Sequence, residues 1–193
     1  MGHSQVEKAQ NRERILAEAA RQARDEGLES ISVGALMKSV GLTHGGFYGH
    51  FESRSALLAE ALEQALTDGE SRARSHAGSG PHGFADMFRS YLSRTHRDSR
   101  DRGCAMAALA CDVARANEAS RRAMETHVEA FIAGTARTLD GDERKAMLAV
   151  SAMIGALALS RVLTDPARSD ALLRAVRSEL AKLETVPPSS ERE

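Results

Sequence analysis

The sequence predicts an all-α chain of about nine helices. Three observations carry that prediction. Alanine, leucine and arginine abound while aromatics make up 4% of the residues; runs of β-branched residues are absent; and segment after segment repeats its apolar residues at helical spacing between Gly, Pro and small polar caps. At 193 residues the chain is long enough to bury a core in one or two small domains, and no internal repeat is evident.

The elements run in order along the chain. Ser4-x-x-Glu7 is a capping box that opens the first helix. Ile15, Leu16, Ala19, Ala20 and Ala23 form its inward face, and Gly27 ends it. Leu28 and Ile31 carry the core across a short connection to Ser32, which caps a helix built on Val33, Leu36, Met37 and Val40. Gly41 interrupts, and Thr43 caps a second short helix running to His50. On that helix Phe47 and Phe51 stack behind, leaving His44, Tyr48 and His50 in front.

Ser53 then caps a longer helix to about His76, striped by Leu57, Leu58, Ala61, Leu62, Ala65 and Leu66. A Gly78-Ser79-Gly80-Pro81 linker places Pro81 in the first turn of a helix whose Phe84, Met87, Phe88, Tyr91 and Leu92 give the clearest amphipathic pattern in the chain. His96 to Gly103 reads as a charged loop, and an alanine-rich helix runs from about Cys104 to Ala116. Asn117 caps the next, with Met124, His127, Val128, Phe131, Ile132 and Leu139 inward. Gly134 sits in mid-helix, as a backbone passing close by would require.

Asp140 or Asp142 opens a helix that is apolar on every side from Ala146 to Leu159 and must therefore be covered all round. Asp165-Pro166 starts the last, striped by Leu172, Leu173, Val176, Leu180 and Leu183. The division expected is a three-helix unit over 1–52, a second helical domain over 53–185 and a disordered tail over 186–193.

Several function classes recede at once. No nucleophile elbow, phosphate-binding loop, dinucleotide fingerprint or metal-ligand spacing occurs, so no enzyme, cofactor or metal is expected. The longest apolar run falls short of the ~20 residues a membrane span needs, and the polar start lacks a signal peptide, which places the protein in the cytoplasm without a membrane partner. Cys104 and Cys111 lie seven positions apart in one expected helix, roughly 10 Å along its axis, too far for a disulfide within it. The formal net charge is −1. Even the first 54 residues balance, with seven Lys and Arg against seven Asp and Glu. Any nucleic-acid affinity must come from local placement of charge.

That leaves Val33 to Leu58, a helix-turn-helix signal. Its run L-T-H-G-G-F-Y-G-H-F-E-S-R-S-A-L-L closely resembles the DNA-binding signature of the tetracycline-repressor (TetR/AcrR) family of bacterial transcriptional regulators, over about the first third of the chain. Turn glycine, capping hydroxyl, Tyr-x-x-Phe ending and following Ser-Arg-x-x-Leu-Leu all fall at the family's spacing. The resemblance implies phosphate contacts from Ser32, Thr43, Tyr48, His50 and Arg54 on a palindromic double-stranded DNA operator. Base contact is expected of His44 and the Gly45-Gly46 backbone, in the N-terminal half of the reading helix. Gly45, Gly46 and Gly49 cost that helix about 2–3 kcal/mol of propensity against alanine and strip it of reading side chains.

The resemblance also implies a C-terminal domain with a pocket for a small apolar effector. Met87, Phe88, Tyr91, Met106, Leu109, Met124, His127 and Phe131 are the expected lining, with Tyr91 and His127 as its polar handles. Ser151 and Gly155 form a small-x-x-x-small pair. With Ile154, Ala158, Leu172, Val176 and Leu180 they make the expected face of a homodimer built from two helices of each subunit. The function expected is a ligand-responsive, sequence-specific repressor released from its operator by the effector. A thiol-based redox sensor using Cys104 and Cys111, and a helical ligand-binding or scaffold protein that no longer binds DNA, are the alternatives.

Overall fold

The computed structural model describes residues 5–76 and 83–184. The expected Ser4 cap, the Gly78–Pro81 linker and the tail lie outside them. The described residues form nine α-helices joined by turns and three short 3-10 segments, with no strand among them. They are α1 (Gln5–Glu26), α2 (Val33–Ser39), α3 (Arg54–His76), α4 (Phe84–Tyr91), α5 (Arg94–Asp98), α6 (Ala105–Ala114), α7 (Glu118–Arg137), α8 (Glu143–Val162) and α9 (Pro166–Ala181).

Caps account for most boundaries. The side-chain oxygens of Ser53, Asn117, Asp142 and Asp165 each accept a backbone N–H in the first turn of the helix they precede, at 3.0, 2.9, 3.0 and 2.9 Å. The charged stretch expected as a loop is partly helical. Ser93 caps α5 by accepting the His96 N–H, and a 3-10 turn covers Arg100–Arg102. The clustered charges disguised it, because α5 buries no residue and so lacks an apolar signal.

The chain gathers into two compact units, Met1–Ala73 with Arg100–Glu125 and Arg74–Ser99 with Thr126–Glu193, where composition had set one boundary at residue 52. The first unit draws in residues 100–125 through a buried guanidinium. Arg24, 3% exposed, donates to Asp101 O at 2.7 Å and to Asp68 Oδ2 at 3.2 Å, which satisfies a charge that burial alone would penalise. No periodic pattern announces a contact across 77 positions of sequence.

The second unit is built on Phe84, Phe88, Leu92, Val150, Met153, Leu173 and Leu180, with Phe84 and Phe88 edge to face at 5.1 Å. Arg97 fastens α5 to α9 through Ser169 and Asp170, both at 2.8 Å, while Ser169 donates to Ser160 O at 2.6 Å. Arg161 of α8 in turn donates to the carbonyls of Arg97 and His96, both at 3.1 Å. Within its own chain, the helix expected to be covered all round is covered on one side. Ala146, Ala149, Val150, Met153, Ala156 and Leu157 of α8 are buried, whereas Met147, Leu148, Leu159 and Val162 stay exposed. Gly134 has no backbone against it. A Cβ there would meet the Arg137 guanidinium at 3.6 Å.

Gly27 stops α1 in a conformation open essentially to glycine alone, φ 91° and ψ 157°, with its N–H on Ala23 O at 2.9 Å. A Cβ there would stand 3.1 Å from Asp112 Oδ2. Gly27→Ala is therefore expected to lower the unfolding free energy by about 1–3 kcal/mol, read from the midpoint of a urea titration at unchanged slope.

Candidate nucleic-acid interface

The helix-turn-helix forms around its glycine turn. Gly41 takes φ 73° and donates to Lys38 O at 3.0 Å, while Leu42 donates to Met37 O at 2.8 Å. That pair of bonds closes α2 in a Schellman arrangement. The next element is a 3-10 segment, His44–Gly49, in place of the short α-helix expected. Three glycines in six residues give little to hold an α-helix, and the Thr43 hydroxyl makes no capping bond to support one. The Ser32 hydroxyl likewise leaves α2 uncapped, so both hydroxyls lie on an exposed surface.

The segment is held from behind. Phe47 is 1% and Phe51 3% exposed, their rings stacked at 5.7 Å. In front, Tyr48 is 70% exposed and edge-on to Phe47 at 5.2 Å. His44, Gly45, Gly46 and Gly49 are exposed as well. A Cβ on Gly45 or Gly49 would meet nothing within 4 Å, and one on Gly46 only ordinary contacts with Thr43 Oγ1 and Met37 Cε at 3.6 and 3.8 Å. No neighbour among the described residues requires these glycines.

Arginines fix the frame, a role the sequence did not disclose. Arg12 of α1 donates to His50 O at 3.3 Å and to both oxygens of Glu60 on α3 at 2.7 and 2.6 Å, with its guanidinium 4.7 Å above the Phe51 ring. Arg14 donates to Val40 O at 2.7 Å, at the end of α2. Arg54, expected on a phosphate, is half-exposed and hydrogen-bonded within the chain. Its Nε reaches Ile31 O at 3.1 Å, and its terminal nitrogens hold the Glu29 carbonyl and carboxylate at 3.0 and 3.1 Å. It ties the start of α3 to the turn before α2.

The remaining expected residues are scattered. Of the effector set, Met106, Leu109 and Met124 belong to the first unit and Met87, Phe88, Tyr91, His127 and Phe131 to the second. Leu109, Phe88 and Met124 are buried, and the others are half-buried. Tyr91 packs edge-on to His96 at 4.8 Å and tilts against Phe131 at 5.8 Å, while Thr135 Oγ1 lies 3.9 Å from Met87 Sδ. Of the dimer set, Ser151 is exposed and Ile154, Gly155, Ala158, Leu172 and Val176 are half-buried. Leu180, 3% exposed, is buried in its own unit's core. Cys104 is a buried residue at the N-cap of α6 and Cys111 is exposed on that helix; neither is in a disulfide. No cluster of metal-ligating side chains occurs among the described residues.

His50 carries the site's titration. It is half-buried, and its Nδ1 is shut from solvent without a hydrogen-bond partner. Burial, reinforced by the charges of Lys8 and Arg12, pushes its pKa below the usual histidine value. As pH falls through about 6.5 the unfolded chain takes up this proton first, so stability declines until the folded pKa is passed. His50→Gln should flatten that acid-side loss in denaturant titrations between about pH 7 and 5.

The geometry agrees with the comparisons. Residues 15–61 match the family model for bacterial regulatory proteins of the tetR family, a family of transcriptional regulators rather than enzymes. Comparison with curated proteins returns no match. Among solved structures, a TetR-family regulator from Cytophaga hutchinsonii superposes with a TM-score of 0.78 at 17% identity, over 97% of this chain and 100% of that one. One from Chloroflexus aurantiacus gives 0.77 at 21% identity, over 92% and 95%. The reduced form of E. coli NemR gives 0.75 at 20%, over 93% and 99%. Residues 15–61 thus match the tetR-family model, and the chain shares the fold of TetR-family regulators along nearly its whole length.

Proposed function

We propose that the protein is a cytoplasmic, homodimeric repressor that binds a palindromic operator and leaves it when a small apolar molecule binds. The observation that carries the DNA-binding part is the two-sidedness of His44–Gly49, aromatic and buried behind, bare and exposed in front. Such an element can lie against base edges with its backbone close to the groove floor, while Tyr48 and the Ser32 and Thr43 hydroxyls take phosphate or sugar. His44 is the one exposed side chain at its start able to donate to or accept from a base edge.

For the effector, the half-buried Met87, Tyr91, His127 and Phe131 of the second unit are the proposed contacts. A thioether and two aromatic rings suit an apolar molecule, with the phenol and imidazole orienting it. Ligand binding then favours one dimer geometry over another and changes the distance between reading elements. Helix α3, whose residues belong to both units, is the proposed transmitter.

The dimer is proposed on the uncovered side of α8. Met147, Leu148, Leu159 and Val162 are exposed there beside Ser151, and a Cβ on Gly155 would meet nothing within 4 Å, so a partner helix can approach closely. Leu172 and Val176 of α9 join the face; Leu180 does not.

Two measurements test this reading. Selection of bound DNA from a random pool should return an inverted repeat with half-sites about one helical turn or a multiple apart, and Tyr48→Ala should abolish its retention. An unsymmetrical consensus, or Tyr48→Ala binding like the wild type, would count against it. Leu148→Glu should give a monomer of unchanged helical content in sedimentation experiments and weaken operator binding at least tenfold; a variant that stays dimeric rules out the α8 face.

A further inference from the structure

The two ring nitrogens of His50 meet different surroundings at the C-terminal end of the reading segment. The backbone there is held on both sides, the His50 N–H donating to Phe47 O at 2.9 Å and its carbonyl accepting from Arg12 Nε at 3.3 Å. The side chain leaves this point half-buried. Nδ1 is shut from solvent and has no hydrogen-bond partner among the described residues. Nε2 is not shut in this way, and it is the ring atom that can meet water or a phosphate oxygen.

The charges around the ring are unfavourable to a second proton. Lys8 and Arg12 of α1 both oppose a positive charge on the imidazole. Arg12 is held in place by its bonds to His50 O and to both oxygens of Glu60. Glu60 is the carboxylate that α3 brings to this end of the segment, and none of its atoms reaches Nδ1.

A phosphate at Nε2 would accept the same hydrogen bond from neutral imidazole and from imidazolium. The difference lies at the other nitrogen. Imidazolium must carry its second proton on Nδ1, as a buried N–H without an acceptor and beside two cations, whereas the neutral ring protonated on Nε2 leaves only a bare lone pair there. What a phosphate offers the cation in return is a charge interaction at the surface, weakened by water and salt.

We propose that His50 meets the DNA backbone as its neutral Nε2–H tautomer, so that operator binding takes up no proton at this residue. This rests on the DNA-binding reading above. His50 then supplies a directed hydrogen bond without counterion release, and its part in binding is constant between about pH 6 and 7.5.

The test uses the full chain and the DNA selected from the random pool, with thermal melting to establish that each variant is folded. Glutamine can place its amide N–H near the position of the histidine Nε2 and asparagine near that of Nδ1. His50→Gln should therefore bind within about twofold of the wild type, while His50→Asn and His50→Ala bind about tenfold more weakly or worse. Between about pH 7.5 and 6 the wild type and His50→Gln should change affinity in parallel, with equal slopes of log affinity against log salt. Contact by imidazolium would instead make the wild type gain on His50→Gln as pH falls, by up to about tenfold per pH unit for each protomer, and would steepen its salt slope by about 0.9. In the operator complex, ring-nitrogen magnetic resonance of His50, assigned by its loss in His50→Gln, should show the Nε2–H tautomer. An imidazolium or Nδ1–H signature overturns the assignment, as does a wild type that gains on His50→Gln at low pH, or His50→Ala or His50→Asn binding like the wild type. Those results leave the DNA-binding reading standing as long as Tyr48→Ala abolishes binding. If the wild type selects no DNA, both fail.

Discussion

The reading segment cannot hold its own shape, and the burial of Phe47 and Phe51 behind it is what gives it one. Three of its six residues are glycine, and its bonds are largely of the tighter i to i+3 kind, such as Gly46 N–H to Thr43 O at 3.0 Å and His50 N–H to Phe47 O at 2.9 Å. Two buried aromatic side chains supply on the order of 2–3 kcal/mol each, comparable to what the glycines forfeit in helix propensity. The Arg12 guanidinium over Phe51 and on His50 O extends the same anchorage into α1 and α3. Exposed front and rigid back are thus one device, since the segment can present a bare surface only because its core side is so firmly placed.

Charge in this unit works mainly as scaffold. A balanced count of cations and anions reads, from composition, as a weakness in a DNA-binding domain. In the folded chain most of the arginines join helix ends to distant carbonyls and carboxylates. Arg14 holds the end of α2, Arg54 the turn before it, and Arg24 the 3-10 turn at residue 101. Guanidinium suits this role because its planar fork can serve a carbonyl and a carboxylate together. The corollary is a reading unit whose attraction to DNA is short-ranged, arising from close fit more than from a broad positive field.

Much of this was legible in the sequence, and the reasons for the rest are physical. Helix order, the Gly27 and Gly41 breaks, the Ser53, Asn117, Asp142 and Asp165 caps, and the Phe47–Phe51 backing all follow from local periodicity and capping chemistry. Illegible were the features that depend on distant partners. Arg12 finds Glu60 across 48 positions and Arg97 finds Asp170 across 73, and nothing near either residue marks it as structural. The same holds for the bonds of Arg54 to Glu29 and the Ile31 carbonyl. A family spacing locates a residue's backbone, whereas Glu29 and the Ile31 carbonyl decide where the guanidinium goes. Leu180 shows the complementary limit, because periodicity places it on the apolar side of α9 without saying whether that side meets its own core or another chain.

The open space around Gly45 and Gly49 bears on how such a protein can diversify. A Cβ added at either position meets no atom within 4 Å, and replacing glycine gains backbone rigidity instead of losing it. New operator preferences are therefore reachable by single substitutions that do not first erode the fold. The trade between stability and new function that constrains most binding sites is relaxed at these two positions, and a duplicated copy could drift toward a different operator with its architecture intact.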